Sequence, residues 1–394
     1  MKKHFRLAAL LVALVMLAGL VSGCGGGGEE KKAADANEIV IGGNLELSGP
    51  VATFGTAMKN GAEMYFEEVN AAGGVLGKKI KFNVMDNKSD ATEAANVATR
   101  LITQDKVVAV MGAATSGNTM GFMQVATDNK VPIITPSGTA LEVTVDPNTK
   151  KVRDYVFRTC FIDPFQGIVM ANFATNDLKA KTAVLYVDNQ SPYAKGLAQF
   201  FKDSFIKQGG KIVGEEAFMP EDQDFKATLT KIKGLNPDVI YVPAYYEPVG
   251  KIVKQGREIG ITVPFLGGDG WDSPKLPEIA GGAALNNTYF SNHYSSQKDD
   301  PEIKGFVEKY QAKFGQVPDT FAALGYDTAV LLVDAIKRSE DASPEKIKEA
   351  LANAKDVQAI TGKLSFDENH NPIKGAVILE MKDGKQVYKT YVQP

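Results

Sequence analysis

The chain has 394 residues, 44% of them hydrophobic and 23% charged, and a formal net charge of −3. That length exceeds one ordinary core and suits two domains, while the mix excludes both global disorder and a multi-span membrane protein. Removing Lys2, Lys3 and Arg6, the only charged residues among the first 23, leaves −6 for the remainder, which offers nucleic acid no basic footprint.

The amino terminus carries the first signal. After the basic start, residues 7–21 form an uncharged apolar run, shorter than the roughly 20 residues that span a bilayer comfortably. The small residues Val21-Ser22-Gly23 then precede Cys24. Residues 1–23 read as a lipoprotein signal peptide, with Cys24 receiving a diacylglyceryl group and becoming the first residue. Residues 24–37, rich in glycine and charge, read as a flexible tether. The expected location is therefore extracytoplasmic, anchored to a membrane by lipid. Only one other cysteine exists, Cys160, so no internal disulfide is available. Its apolar setting over residues 155–160 predicts a buried, inert thiol.

Beyond the tether, strand-like and helix-like segments alternate. Residues 38–46 are rich in Ile and Val and predict a strand, followed by a loop at Gly49, Pro50 and Gly55. Met58, Ala62, Tyr65, Phe66 and Val69 repeat at helical spacing over 56–70, and Gly73-Gly74 stops the helix. A strand over 79–86 follows, then a helix from the capping pair Asp90 and Glu93 to about residue 104. Short buried strands are expected at 107–112 and 131–136. The rhythm restarts after Cys160, with strands at 182–188, 211–218, 238–245 and 264–269. Helices are expected from Ser191-Pro192 to Gly209-Gly210, near 225–233, and over 247–259.

Such alternation predicts two α/β halves, each a mostly parallel, doubly wound sheet covered by helices on both faces. The later helices at 302–314, 320–338 and 344–354 bring no sheet of their own and are expected to return to the first half. A hairpin over 374–392, turning at Asp383-Gly384, is expected to join the second. This assigns residues 38–160 plus 293–362 to a first lobe and 161–292 plus 363–394 to a second. The joining segments near 160–163, 291–294 and 361–364 would form a multi-strand hinge.

Enzyme chemistry finds little support. His4, His293 and His370 are isolated in sequence, which leaves a multi-histidine metal site unsupported. No Gly-x-Ser-x-Gly elbow occurs. Residues 73–78 lack phosphate-loop spacing and read as a turn, and residues 267–270 lack the dinucleotide pattern. Neither catalysis nor a cofactor is expected. What remains is a set of polar and aromatic residues at the carboxyl ends of predicted strands, where doubly wound sheets bind ligands. Residues 113–119 and 136–139 supply hydroxyls with backbone N–H groups, a combination that suits a carboxylate. Tyr193, Tyr245 and Asp269 supply a carboxyl group among aromatic rings, which suits an ammonium group.

At these residues the chain resembles the branched-chain amino-acid-binding proteins of ABC importers, which have the type I periplasmic-binding fold. The likeness covers nearly all of the chain after the tether. Its motifs are Leu47-Ser48-Gly49-Pro50-Val51-Ala52-Thr53-Phe54-Gly55, Asn70-Ala71-Ala72-Gly73-Gly74-Val75-Leu76-Gly77, Thr135-Pro136-Ser137-Gly138-Thr139 and Phe265-Leu266-Gly267-Gly268-Asp269-Gly270. The resemblance implies that Ser116 and Thr139, with Ser137 beside them, hold a ligand carboxylate, and that Asp269 and Tyr245 hold its ammonium. Phe54 and Tyr193 match aromatic positions of the site. The chain departs from the familiar leucine-binding members, which have Glu where it has Asp269 and Tyr where it has Phe54. Trp271, its only tryptophan, follows the acid closely and is expected to narrow the pocket. The function so implied is capture of an amino acid, aliphatic or branched-chain, by hinge closure and delivery to a membrane permease by a monomeric binding protein. Relatives of this architecture that bind amides, urea or aromatic acids keep the ligand open, and a sensor feeding a receptor is the alternative to an importer.

Overall fold

The computed structural model describes residues 37–393. The expected signal peptide, Cys24 and all but the last residue of the tether lie outside the described residues.

Strands β1 (Glu38–Leu45), β2 (Lys79–Asp86), β3 (Ala109–Gly112), β4 (Ile133–Thr135) and β5 (Val156–Arg158) form an all-parallel sheet in the order β2-β1-β3-β4-β5. Register is fixed by pairs such as Ile41 with Phe82 on one side and Ile41 with Ala109 on the other. Both faces are buried, as a parallel sheet requires. Ile39, Ile41, Met111, Ile134 and Phe157 join one core cluster. Their alternating neighbours Val40, Val110, Ile133 and Val156 join another. The crossovers carry α1 (Ala52–Ala71), α2 (Ala91–Thr103) and α3 (Ser116–Asp128). The cap foreseen for α2 is present: Asp90 accepts from the Glu93 N–H at 2.9 Å.

The second sheet repeats this order. Strands β6 (Thr182–Asp188), β7 (Lys211–Phe218), β8 (Val239–Tyr241), β9 (Phe265–Gly267) and β10 (Thr288–Asn292) lie as β7-β6-β8-β9-β10. Around them are α4 (Asp163–Asn176), α5 (Pro192–Lys207), α6 (Lys226–Gly234), α7 (Tyr246–Glu258) and the short α8 (Lys275–Ala280). Ser191 caps α5 by accepting from the Ala194 N–H at 3.2 Å, with Pro192 in the first turn. Alternation again buries both faces, with Val184, Ile240 and Phe265 on one and Ala183, Val239 and Leu266 on the other.

The chain then returns to the first sheet with α9 (Pro301–Phe314), α10 (Thr320–Ser339), α11 (Pro344–Ala352) and a small hairpin of β11 (Val357–Ala359) and β12 (Gly362–Leu364). Helix α10 packs closely on α1. The contact depends on two glycines: a Cβ on Gly61 would lie 2.0 Å from the Ala322 carbonyl oxygen, and one on Gly325 would lie 2.3 Å from that of Met58. Finally β13 (Ala376–Lys382) and β14 (Lys385–Val392) add antiparallel strands to the β10 edge of the second sheet.

The third passage between sheets differs from the reading that resumed the second lobe at residue 363. The His370 ring stacks on Phe157 of β5 at a centroid distance of 4.2 Å, and Phe366 packs on the same ring. His370 Nδ1 also lies 2.9 Å from the Val156 carbonyl oxygen. Residues 366–370 therefore stay with the first sheet, because its outer strand β5 offers an aromatic face and an open backbone acceptor. The passage falls near Lys374, whose buried ammonium donates to the Thr159 carbonyl at 3.2 Å and to the Thr361 hydroxyl, tying two chain passages together. Burial pulls this lysine down to about 8.

Candidate ligand-binding site

The loops after β1, β3 and β4 of the first sheet face those after β6, β8 and β9 of the second. Both sets leave the carboxyl ends of their strands, where the order 2-1-3-4-5 opens a crevice. A narrow cavity between them is lined by Phe54, Ala114, Ser137 and Phe321 from the first side and by Tyr193, Tyr245, Asp269 and Gly270 from the second. A larger, open depression lies elsewhere on the first lobe, between α1, α9 and α10, lined by Met64, Tyr65, Phe306 and Tyr326 among others. It contains none of the buried acids described below.

Asp269 follows β9 and is 3% exposed. Its Oδ1 accepts from the Tyr193 hydroxyl at 3.0 Å and from Gln166 Nε2 at 3.2 Å. Its Oδ2 lies 3.0 Å from His293 Nε2. Burial pushes the His293 imidazole down to about 4, so near neutral pH it is an uncharged ring and donates from Nε2. The ring stacks on Phe161 at 3.5 Å between centroids. Gln166 is itself fixed, accepting from the Asp269 N–H at 3.3 Å and from the Ser291 hydroxyl at 2.9 Å. A carboxylate offers about four acceptor positions, and three are filled here. Among the described residues Asp269 has no lysine or arginine partner. A second acid, Asp163, lies behind: Gln166 Nε2 also reaches its Oδ1 at 3.3 Å, and burial pushes its carboxyl up to about 8.

The first-lobe wall is neutral at its surface. Ser137 donates to the Ala114 carbonyl at 2.6 Å. Ser116 Oγ accepts from the Ala140 N–H at 3.1 Å, which leaves its own proton available to another acceptor. The Thr139 hydroxyl is fully buried and meets the Asp163 carboxyl, whose upward shift it offsets in part.

Aromatic rings close the cavity from both sides. Phe54 stacks on Phe321 at 3.8 Å and meets Tyr245 and Tyr246 edge-on at 5.8 and 5.3 Å. Tyr245 in turn stacks on Tyr193 at 5.2 Å. Polar contacts flank them: Asp272 accepts from the Thr320 N–H at 2.9 Å, and the Thr53 and Ser273 hydroxyls lie 3.1 Å apart.

The cavity thus gathers Phe54, Ser137, Tyr193, Tyr245 and Asp269 from the residues singled out in sequence, with Ser116 and Thr139 beside Ser137 in the adjoining loops. Trp271 does not line it, against the expectation that it narrows the pocket. Its indole is fully buried, donates to the Val242 carbonyl at 3.0 Å and lies beneath Gly267 and beside Phe290. The short 3-10 turn at Asp269–Trp271 points the acid toward the cleft and the indole into the lobe. Sequence reasoning missed Gln166, His293 and Phe321. His293 was set aside as an isolated histidine, and only folding places it on Asp269. Among the described residues no group of acids, histidines or cysteines could hold a metal ion. Cys160 is buried, and burial pushes its thiol up to about 12, as an inert cysteine requires.

The periplasmic binding protein family model matches residues 38–386. The chain belongs to this family. It is 30% identical to the leucine-, isoleucine-, valine-, threonine- and alanine-binding protein of Pseudomonas aeruginosa, over 93% of this chain and 94% of the relative. Among solved structures it is similar to the branched-chain amino acid transporter substrate-binding protein LivJ of Streptococcus pneumoniae in complex with isoleucine. That likeness has 43% identity and a TM-score of 0.85, and covers 91% of this chain and all of the other. It is also similar to a solute-binding protein from Rhodopseudomonas palustris in complex with benzoate, with 26% identity and a TM-score of 0.81 over 91% of this chain and 97% of the other. This periplasmic binding protein therefore has the type I fold, two doubly wound lobes, and belongs among the substrate-binding proteins of branched-chain amino acid ABC transporters. Its relatives are binding proteins rather than enzymes. Among the described residues, no helix of this binding protein is long and apolar enough to cross a membrane.

Proposed function

We propose that the chain captures an α-amino acid with an aliphatic side chain in the cavity between its lobes and delivers it to an ABC permease. The observation that carries this reading is Asp269, a buried carboxyl group on the cavity wall with no lysine or arginine beside it among the described residues. An ammonium group supplies the missing charge. Opposite, Ser116, Ser137 and Thr139 receive the ligand carboxylate, and Phe54, Tyr245 and Phe321 surround an apolar side chain. The relatives named for leucine, isoleucine and valine support the choice. Hinge closure buries the ligand, as is usual for two-lobed binding proteins.

The test compares leucine, its analogue without the amine (4-methylpentanoate) and its analogue without the acid (3-methylbutylamine) by calorimetry. Leaving a buried polar group unpaired costs about 1–3 kcal/mol, and more when it is charged. Leucine should therefore bind at least roughly tenfold more tightly than either analogue. Equal affinity for 4-methylpentanoate, or tighter binding of benzoate, would remove the ammonium reading and place the chain with organic-acid carriers.

We further propose that Cys24 carries two acyl chains as a diacylglyceryl group, which hold a protein to a membrane where one chain is marginal. Cys24→Ser should shift the protein from the membrane to the soluble fraction, and equal membrane retention would sink this assignment.

A further inference from the structure

Glu46 lies just past the end of β1, fully buried. Nothing in the sequence singles it out. Its carboxylate collects four hydrogen bonds from one short stretch. Oε2 accepts from the Ala114 N–H at 2.8 Å. Oε1 accepts from the Thr115 N–H at 3.1 Å, the Thr115 hydroxyl at 3.1 Å and Asn118 Nδ2 at 2.8 Å. All four donors lie between the end of β3 and the first turn of α3. Thr115 is also the cap of that helix, its hydroxyl accepting from the Asn118 N–H at 3.3 Å. The loop is thus an anion hole filled from inside the protein, at the helix end that favours negative charge. The backbone of Glu46 is held from the other side, where Gly55 approaches so closely that a Cβ there would lie 2.2 Å from the Glu46 carbonyl oxygen.

This assembly sits one layer behind the cavity. Ala114, gripped through its N–H by Glu46, lines the cavity and accepts from Ser137 through its carbonyl. With Glu46 in place the N–H groups of Ala114 and Thr115 are taken, although the loop sequence offers them to any carboxylate. We infer that Glu46 is a positioning residue for ligand binding: it fills the anion hole at the start of α3, fixes Ala114 and Ser137, and restricts the ligand carboxylate to Ser116, Ser137 and Thr139. The inference rests on the reading that the ligand carries a carboxylate.

The test is chemical rescue. Glu46→Ala removes the carboxylate and leaves its donors around a space that formate fits. Leucine affinity should fall by roughly tenfold or more, as loss of hydrogen bonds to a charged group implies. Added formate should restore most of it, and neutral formamide, of similar size, should not. Wild-type affinity in Glu46→Ala without formate overturns the proposal, and so does a loss that formate leaves untouched. Asn118→Ala removes one of the four donors and leaves the rest of the loop; it should weaken leucine about threefold, and an unchanged affinity counts against the clamp. If wild type binds no amino acid, the functional reading fails separately. Hydrogen exchange then still tests the clamp, because the Ala114 and Thr115 amides should exchange slowly in wild type and fast in Glu46→Ala. Equal exchange in both overturns it.

Discussion

On the second-lobe wall, Asp269 holds three hydrogen bonds from Tyr193, Gln166 and His293, and Gln166 is itself held by Ser291. On the first-lobe wall the groups are neutral: Ser116 Oγ accepts from the Ala140 N–H and keeps its own proton available, and Glu46 behind them is turned away into its own loop. The contrast has a physical logic. A charge that must meet an ammonium group in a buried cleft has to be fixed before the ligand arrives, or the ordering cost falls on binding. A neutral hydroxyl carries no charge to hold in place: the loop that Glu46 clamps positions its oxygen, and its proton rotates to suit whatever acceptor appears. One wall is preorganised charge and the other is adjustable donors.

The largest expected effect breaks the charged wall. Asp269→Asn keeps the shape and most of the hydrogen bonds but removes the charge. Truncating one member of a buried charge pair costs about 2–5 kcal/mol, so leucine affinity should fall roughly thirtyfold or more. Calorimetry showing an unchanged dissociation constant would reduce Asp269 to a turn residue. A smaller effect concerns stability. Asp163 has its folded-state carboxyl raised to about 8 from an ordinary 3.8. Between these values the folded state binds the proton more tightly than the unfolded state, so stability falls as pH rises, and levels off above about 8. From pH 6.5 to 8 the slope should amount to about 2 kcal/mol at most, and Asp163→Asn should remove that share of it. Denaturant midpoints with the same pH slope in both proteins would contradict this. His293, pushed down to about 4, acts in the opposite sense and only below its ordinary 6.5. The smallest effect probes the neutral wall. Thr139→Val removes a hydroxyl that also meets the buried Asp163 carboxyl, so the melting temperature should fall slightly while leucine affinity drops about three- to tenfold. Equal leucine affinity would mean that the hydroxyl does not meet the ligand.

Much of the fold was legible because hydrophobic period reports it directly. Strands at 182–188 and 211–218 and the helix opening at Ser191-Pro192 are found where alternation and capping put them. Other elements were missed for identifiable reasons. Helix α4 is apolar nearly all round, so no face stands out. Strands β5 and β10 are short and owe their place to their neighbours. The expected strand to residue 245 ends at Tyr241, because Tyr245 turns out to cap α7.

The sequence by itself determined the two α/β halves, the strand ends that bear Ser116, Ser137, Thr139, Tyr193, Tyr245 and Asp269, and through its motifs the family. These are local facts of periodicity, turn chemistry and residue type. The tertiary structure alone decided which groups meet. Gln166 and His293 reach Asp269 from distant elements, and Ser291 holds Gln166. Phe321 closes on Phe54 across some 267 residues of chain. Trp271 turns into its lobe although it stands two residues from the acid. Glu46, in a strand end that reads as ordinary, takes the donors that the first loop offers. Hydrogen bonds of this kind depend on distances of about 3 Å between residues far apart in sequence, and local pattern carries no information about them.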